Sequence, residues 1–163
     1  MYGCFKLPTK TVLFVCYGNI ARSVIAEGCL KKKFTELDFR IRVLSAGLNA
    51  QGLPPTKETL EVMKREKINI PDRFSKQLTR KLLEEADLIL TMEERYKDAI
   101  LFHYPQFKNK IFTLKEIAGE MEDLDIQDPY GQNVETYNKC AEEIRSNIDK
   151  SFRKIIDFLG VNR

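Results

Sequence analysis

The chain has 163 residues, of which 43% are hydrophobic and 31% are charged, and its net charge is +3. This length and composition are typical of one globular domain and exclude a disordered chain. The basic excess is small and interspersed with acids, and no apolar stretch is long enough to span a bilayer, so neither nucleic acid nor membrane is predicted as a partner.

The first half of the chain alternates apolar runs with amphipathic segments. TVLFVC at 11–16 is apolar on both faces, which predicts a central parallel strand. Apolar residues at helical spacing predict a helix from Ser23 to about Leu37. RIRVLSAG at 40–47 is predicted to be a second strand, and a helix over 54–67 follows it, with Thr56 as the N-cap.

The second half repeats this alternation. It predicts a short helix that Thr79 caps and that reaches Glu85, a strand at 86–92, a helix at 93–102 and a strand at 110–114. A long apolar stripe then predicts a final helix from Val134 to Leu159. Asn133 is its expected N-cap and Gly160 its expected C-terminal glycine.

Strands that alternate with helices predict an α/β domain built around a parallel sheet. We expect residues 1–163 to form a single domain, with 1–9 as an N-terminal extension before the first strand. Ligands of open α/β sheets bind at the carboxyl ends of the strands. The loop that follows the first strand is therefore the first place to look for a binding site.

Cys16 and Arg22 flank five residues in this loop, within the sequence CYGNIARS. Between a strand and a helix N-terminus, such a loop would direct several backbone N–H groups at one anion. Gly18 permits close approach of the backbone, and Asn19 tolerates a left-handed conformation. Arg22 offers a planar fork for two phosphate oxygens, and the positive field favours the reactive thiolate of Cys16. The spacing alone also fits a structural cysteine and a surface arginine.

VLFVCYGNIARS, followed by AE at 26–27, resembles the phosphate-binding signature of the low-molecular-weight protein tyrosine phosphatases. SAG at 45–47 resembles the end of the family's second strand, and KQLT and ADLILTM resemble its middle. DPY at 128–130 resembles the motif that carries its general acid. The resemblance implies a flavodoxin-like three-layer sandwich with a four-stranded parallel sheet. It also implies phosphomonoester hydrolysis with no metal and no cofactor.

The resemblance implies roles for individual residues. Cys16 would be the nucleophile that forms a cysteinyl-phosphate intermediate, and Arg22 would bind the equatorial phosphate oxygens. Asp128 would protonate the leaving group and then activate water. Ser23 would stabilise the Cys16 thiolate, and Ser45 would support the loop.

The remaining site residues implied by the resemblance belong to the phosphate-binding loop or to the substrate cleft. The loop contains Tyr17, Gly18, Asn19, Ile20 and Ala21, and the cleft is lined by Tyr17, Tyr130 and Asn49.

Three departures from the family pattern bear on this site. Ala21 stands where many members have a second cysteine, so the disulfide that would protect Cys16 cannot form. Arg73 lies nearest to the place of a histidine that many members link to the loop asparagine, so Asn19 must be supported differently. The chain has no tryptophan, so residues 49–53 would have to shape the cleft rim.

The predicted substrate is a phosphotyrosine-containing protein or another aryl phosphate, with inorganic phosphate and similar oxyanions as inhibitors. Protein arginine phosphatases tend to have threonine at the position of Ile20, so Ile20 favours phosphotyrosine. Two alternatives stay open: a protein arginine phosphatase of the same fold, and a catalytically weak module that binds phosphoproteins.

The four cysteines form no C-x-x-C pair, so neither a zinc site nor a disulfide framework is predicted, and Cys29 is expected to be a core residue. We expect a reducing cytoplasm, because the N-terminus lacks the apolar core of a signal peptide. We also expect the protein to be a monomer. Secretion without a signal peptide stays open.

Overall fold

Four parallel strands form the centre of the structure, a computed structural model that describes residues 9–161. The predicted N-terminal extension at 1–9 therefore lies outside the described residues, apart from Thr9. The strands are β1 (Thr11–Cys16), β2 (Arg42–Gly47), β3 (Leu88–Thr91) and β4 (Ile111–Thr113). They pair in the order β2-β1-β3-β4, so β1 and β3 are the inner strands.

Helices connect the strands, as the alternating pattern predicts. They are α1 (Arg22–Glu36), α2 (Lys57–Arg65), α3 (Arg80–Glu85), α4 (Glu94–His103), α5 (Leu114–Ile117) and α6 (Val134–Leu159), with a 3₁₀ turn at Pro105–Phe107. Within residues 9–161, none of them combines the length and apolar character that a bilayer crossing requires.

The predicted helix caps are confirmed. The side chains of Thr56, Thr79 and Asn133 each accept a hydrogen bond from a backbone N–H in the first turn, and Gly160 is left-handed after the last turn of α6. The fourth strand ends one residue earlier than predicted, at Thr113. There the Thr113 side chain forms a capping box with Glu116, which starts α5 at the residue expected to end the strand.

The sheet separates two layers of helices, which makes the three-layer sandwich that was predicted. On β1, Val12 and Phe14 join the core beneath α1, α2, α5 and α6, while Leu13 and Val15 join the core beneath α3 and α4. All four side chains are fully buried. Burial on both faces explains why TVLFVC shows no alternation of polar and apolar residues.

The carboxyl ends of β1 and β2 lie side by side, with Cys16 paired to Gly47. The loop after β1 therefore passes directly over Gly47. A Cβ atom at Gly47 would lie 2.6 Å from the Tyr17 carbonyl oxygen and 3.0 Å from the Asn19 nitrogen. Only glycine leaves room for this close approach of two backbones.

We predict that Gly47→Ala lowers the free energy of unfolding by about 1–3 kcal/mol, because backbone atoms of the loop cannot move as easily as a side chain. Urea denaturation measures the change. Gly18→Ala is the matched control, since its Cβ would meet only the Ile20 side chain, at an ordinary 3.6 Å. A Gly47→Ala protein at least as stable as Gly18→Ala would contradict the prediction.

Candidate active site

The Cys16 thiol lies buried at the carboxyl end of β1, enclosed by the loop that leads into α1. The Asn19 N–H donates to Sγ at 3.2 Å, and the Ser23 Oγ lies 2.9 Å from Sγ. Asn19 has a φ of +55°, the left-handed conformation expected of it, which turns its N–H back toward the sulfur. The N-terminus of α1 starts at Arg22 and adds its positive dipole end. These groups all stabilise negative charge at the sulfur.

The side-chain amide of Asn19 connects the loop to its surroundings. Its oxygen accepts from the Lys76 N–H at 2.9 Å, which fixes the orientation of the amide. Its nitrogen then donates to Ser23 Oγ at 2.8 Å and to Ser45 Oγ at 2.9 Å. Because the Ser23 oxygen already accepts a hydrogen, its own hydroxyl hydrogen is available to the Cys16 sulfur. The structure thus brings Ser23 and Ser45 against Asn19.

Arg73, which lies nearest to the place where a histidine was expected, supports Asn19. Its guanidinium contacts Ser45 Oγ at 3.0 Å and pairs with the carboxylate of Glu27 at 2.6 Å. Burial raises the pKa of Glu27, but contacts with Arg73, Lys31 and Ser45 lower it below its ordinary value. A mostly buried ion pair of fixed charge therefore holds Ser45, and through it Asn19.

The Arg22 side chain is 1% exposed, although it carries a permanent charge. One terminal nitrogen, Nη1, donates to Glu93 at 2.5 Å and to the Ile126 carbonyl at 2.7 Å. The other, Nη2, donates to the Tyr96 hydroxyl at 3.0 Å. Burial lowers the pKa of Arg22, but the carboxylates of Asp128 and Glu93 outweigh it and leave the pKa above its ordinary value. The guanidinium is therefore held in one orientation.

Asp128 lies beside Arg22, with its Oδ2 3.2 Å from Nη2. Its side chain is 44% exposed, in contrast to Arg22. The loop that carries it is fixed by Ile126, whose N–H donates to the Met92 carbonyl at 2.8 Å and whose carbonyl accepts from Arg22. Asp128 is thus two residues away from an anchored position and faces solvent.

A cleft of about 250 Å³ is lined by the predicted site residues other than Ser23 and Ser45. Its lining consists of residues 16–22 together with Asn49, Gln51, Leu53, Asp128 and Tyr130. Tyr17 is held on one wall, because its ring stacks on Tyr96 with centroids 6.5 Å apart and its hydroxyl accepts from Asn49 at 3.0 Å. Among these lining residues, Arg22 and Asp128 carry the formal charges. The cleft can hold an anion at its base and an apolar group at its mouth.

Glu27, Glu93 and Tyr96 belong to the site but were not predicted as site residues. Glu93 follows the end of β3, at the same edge of the sheet as the loop after β1. A polar residue directly after a buried parallel strand was the available signal. Glu27 lies one helical turn after Ser23 on the buried side of α1, which was a weaker signal.

Two other cysteines are structural. Cys29 and Cys140 are buried, as predicted for Cys29, and burial raises the pKa of each thiol to about 12. Neither forms the thiolate readily at neutral pH. Ala21 is likewise buried in the core beneath α1.

Comparison with known proteins finds relatives that match most of the chain. Residues 11–157 match the family model described as "Low molecular weight phosphotyrosine protein phosphatase". A low molecular weight protein-tyrosine-phosphatase of Staphylococcus haemolyticus is 37% identical over 134 residues, which cover 82% of this chain and 91% of the relative. The protein-arginine-phosphatase of Bacillus subtilis (strain 168) is 33% identical over 138 residues, covering 82% and 88%. The crystal structure of a low molecular weight protein tyrosine phosphatase from T. tengcongensis superposes with a TM-score of 0.84 at 41% identity, covering 90% of this chain and 99% of that one.

Glu93→Ala is expected to lower the free energy of unfolding by about 2–4 kcal/mol, because it leaves the buried Arg22 cation without its closest carboxylate. Chemical denaturation at neutral pH measures this loss. Arg95→Ala is the control, since the exposed Arg95 pairs with the same carboxylate from outside and should contribute much less to the free energy of unfolding. Equal losses in the two variants would contradict the assigned role of Glu93.

Stability is also expected to depend on pH through Glu27. Its pKa is lowered in the folded state, so the stabilisation is present above the ordinary carboxyl value of about 4.5 and is lost as pH falls through the folded value. The stability difference between wild type and Glu27→Gln should therefore shrink on acidification from pH 7 to below about 4.5.

Urea denaturation across this pH range measures the Glu27 difference. Glu61→Gln is a matched control, because Glu61 forms an exposed pair with Arg65 and should contribute less than about 1 kcal/mol. A Glu27 difference that stays constant with pH would contradict the assignment.

Proposed function

The chain belongs to the low molecular weight phosphotyrosine protein phosphatase family, and on this premise we propose that it hydrolyses phosphotyrosine through a phosphocysteine on Cys16. It is thus an enzyme of the cysteine-dependent protein phosphatase class. One observation carries the residue assignment: Cys16, Arg22 and Asp128 line the same cleft. In this arrangement a nucleophile, a cation and a proton donor can reach one phosphoryl group.

The first chemical step is the attack of the Cys16 sulfur on phosphorus. The new S–P bond forms as the bond between phosphorus and the tyrosine oxygen breaks. Backbone N–H groups of the loop and Arg22 bind the three equatorial oxygens, where charge redistributes in the transition state. Because Nη1 of Arg22 is bound to Glu93 and Ile126, the cation needs little reorganisation when phosphate arrives.

Asp128 acts in both chemical steps. As an acid it gives its proton to the departing tyrosine oxygen, and the product phenol leaves. As a carboxylate it then takes a proton from a water molecule, which attacks phosphorus and breaks the S–P bond. Inorganic phosphate is released and the sulfur leaves as a thiolate, which the Ser23 hydroxyl and the Asn19 N–H stabilise.

Tyr17, Tyr130 and Asn49 are proposed to hold the phenyl ring of the substrate. Both tyrosines expose their rings at the cleft mouth, and an aromatic ring packs well against such faces. A phosphoarginine side chain has no aromatic ring that could pack against these two faces. The two exposed tyrosine rings therefore favour phosphotyrosine as the substrate. Because a Bacillus subtilis relative is named protein-arginine-phosphatase, the test below includes a phosphoarginine peptide.

The remaining partners follow from the same chemistry. Inorganic phosphate and related oxyanions are proposed to bind at the loop and to inhibit competitively. A module that binds phosphoproteins without turnover is disfavoured, because Cys16, Arg22 and Asp128 are all present in one cleft. The proposed enzyme is a monomer that acts in the cytoplasm.

Hydrolysis of p-nitrophenyl phosphate, a phosphotyrosine peptide and a phosphoarginine peptide tests the proposal. We expect the wild type to prefer phosphotyrosine, and Cys16→Ser to bind phosphate without turnover. Asp128→Ala should lose about 10²–10⁴ in kcat, since it lacks the general acid. Asp125→Ala is the control, because this carboxylate lies on the same loop but accepts from the Glu94 N–H.

Equal activity of wild type and Cys16→Ser would overturn the mechanism. A preference for the phosphoarginine peptide would assign the protein to the alternative activity with the same catalytic groups.

A further inference from the structure

Phe74 is the most exposed aromatic side chain near the cleft, with 65% of its surface accessible. Its two neighbours in the chain are both anchored. The Arg73 side chain turns inward to Glu27 and Ser45, and Ser75 is buried. Phe74 is therefore exposed between two anchored residues, so little conformational entropy is lost in positioning it when it binds a partner.

The backbone pairing of Ser75 places this phenylalanine next to the cleft. The Ser75 N–H donates to the Leu53 carbonyl at 2.7 Å, and the Leu53 N–H donates to the Ser75 hydroxyl oxygen at 3.0 Å. Leu53 itself lines the cleft and is 48% exposed. Phe74 thus directly precedes the residue that is bound to Leu53 at the cleft rim, and these two exposed apolar side chains are here called the Phe74 surface.

Exposed apolar side chains concentrate at this end of the molecule. Of the eight large hydrophobic residues that are exposed within residues 9–161, three line the cleft, namely Tyr17, Leu53 and Tyr130, and a fourth, Phe74, is next in the chain to Ser75, which binds Leu53. Single exposed apolar residues are ordinary, but a group around a binding cleft is typical of an interaction site.

We propose that the Phe74 surface binds an apolar side chain of the substrate protein, located close to the phosphotyrosine in its sequence. This inference rests on the proposed function. The cleft has room for a phosphotyrosine side chain, so the substrate backbone must cross its mouth, and residues that flank the phosphotyrosine then reach the rim. The surface includes Leu53 of the cleft lining and is made of apolar side chains, so it selects apolar over polar flanking residues.

Two phosphotyrosine peptides test the inference. One carries leucine and the other serine at the two positions on each side of the phosphotyrosine. We expect the wild type to have a KM about five- to tenfold lower for the leucine peptide, as partial burial of apolar side chains provides. Phe74→Ser should bring the ratio of the two KM values close to one. Phe74→Leu keeps an apolar side chain and should retain most of the wild-type difference in KM.

Phe102→Ser is the matched control. Phe102 is 83% exposed on α4 and belongs neither to the cleft nor to the Phe74 surface, so the KM ratio should stay at the wild-type value. Thermal unfolding of each variant checks that the fold is kept. Equal KM values for the two peptides in the wild type, or the same loss in Phe102→Ser, would overturn the inference.

Two further outcomes can be distinguished from a failure of peptide selectivity. A wild type that hydrolyses neither peptide nor p-nitrophenyl phosphate contradicts the proposed function itself. Sedimentation that reveals a dimer, dissociated by Phe74→Ser, would assign the surface to a second copy of the chain and overturn the substrate assignment.

Discussion

The left-handed turn at Asn19 is the constraint on which the site depends. It directs the backbone N–H at the Cys16 sulfur, and it places the side-chain amide where Ser23, Ser45 and the Lys76 N–H can all bind it. The turn fits over β2 only because Gly47 has no side chain. A backbone conformation of one residue thus fixes the thiol environment, and a glycine on a neighbouring strand makes that conformation possible.

Arg22 shows how a buried cation can stay available to a ligand. Glu93, Tyr96 and the Ile126 carbonyl hold it from the protein side, while the more exposed Asp128 touches it from the cleft. The inner partners offset the cost of burying the charge. The outer partner can be exchanged for phosphate, because its carboxylate is 44% exposed and is not enclosed by the protein.

Sequence patterns determined the fold well because the signals were local. Burial of β1 on both faces and the caps at Thr56 and Thr79 follow from neighbouring residues alone. Glu93 and Ile126 were missed as partners of Arg22, since they lie 71 and 104 residues away in the chain. A backbone carbonyl such as that of Ile126 has no sequence signature, so such contacts need the tertiary structure. The short helix α5 had a local signal, the Thr-x-x-Glu of its capping box.

The Arg73–Glu27 pair gives the loop a scaffold without a proton switch. A histidine in a supporting position would change charge between about pH 5 and 8, and the support would change with it. A guanidinium keeps its charge throughout that interval, and the Glu27 carboxylate stays ionised because its pKa is lowered. The shape of the anion site is therefore decoupled from the acidity of its surroundings. Between about pH 5 and 8 the loop therefore keeps a single architecture.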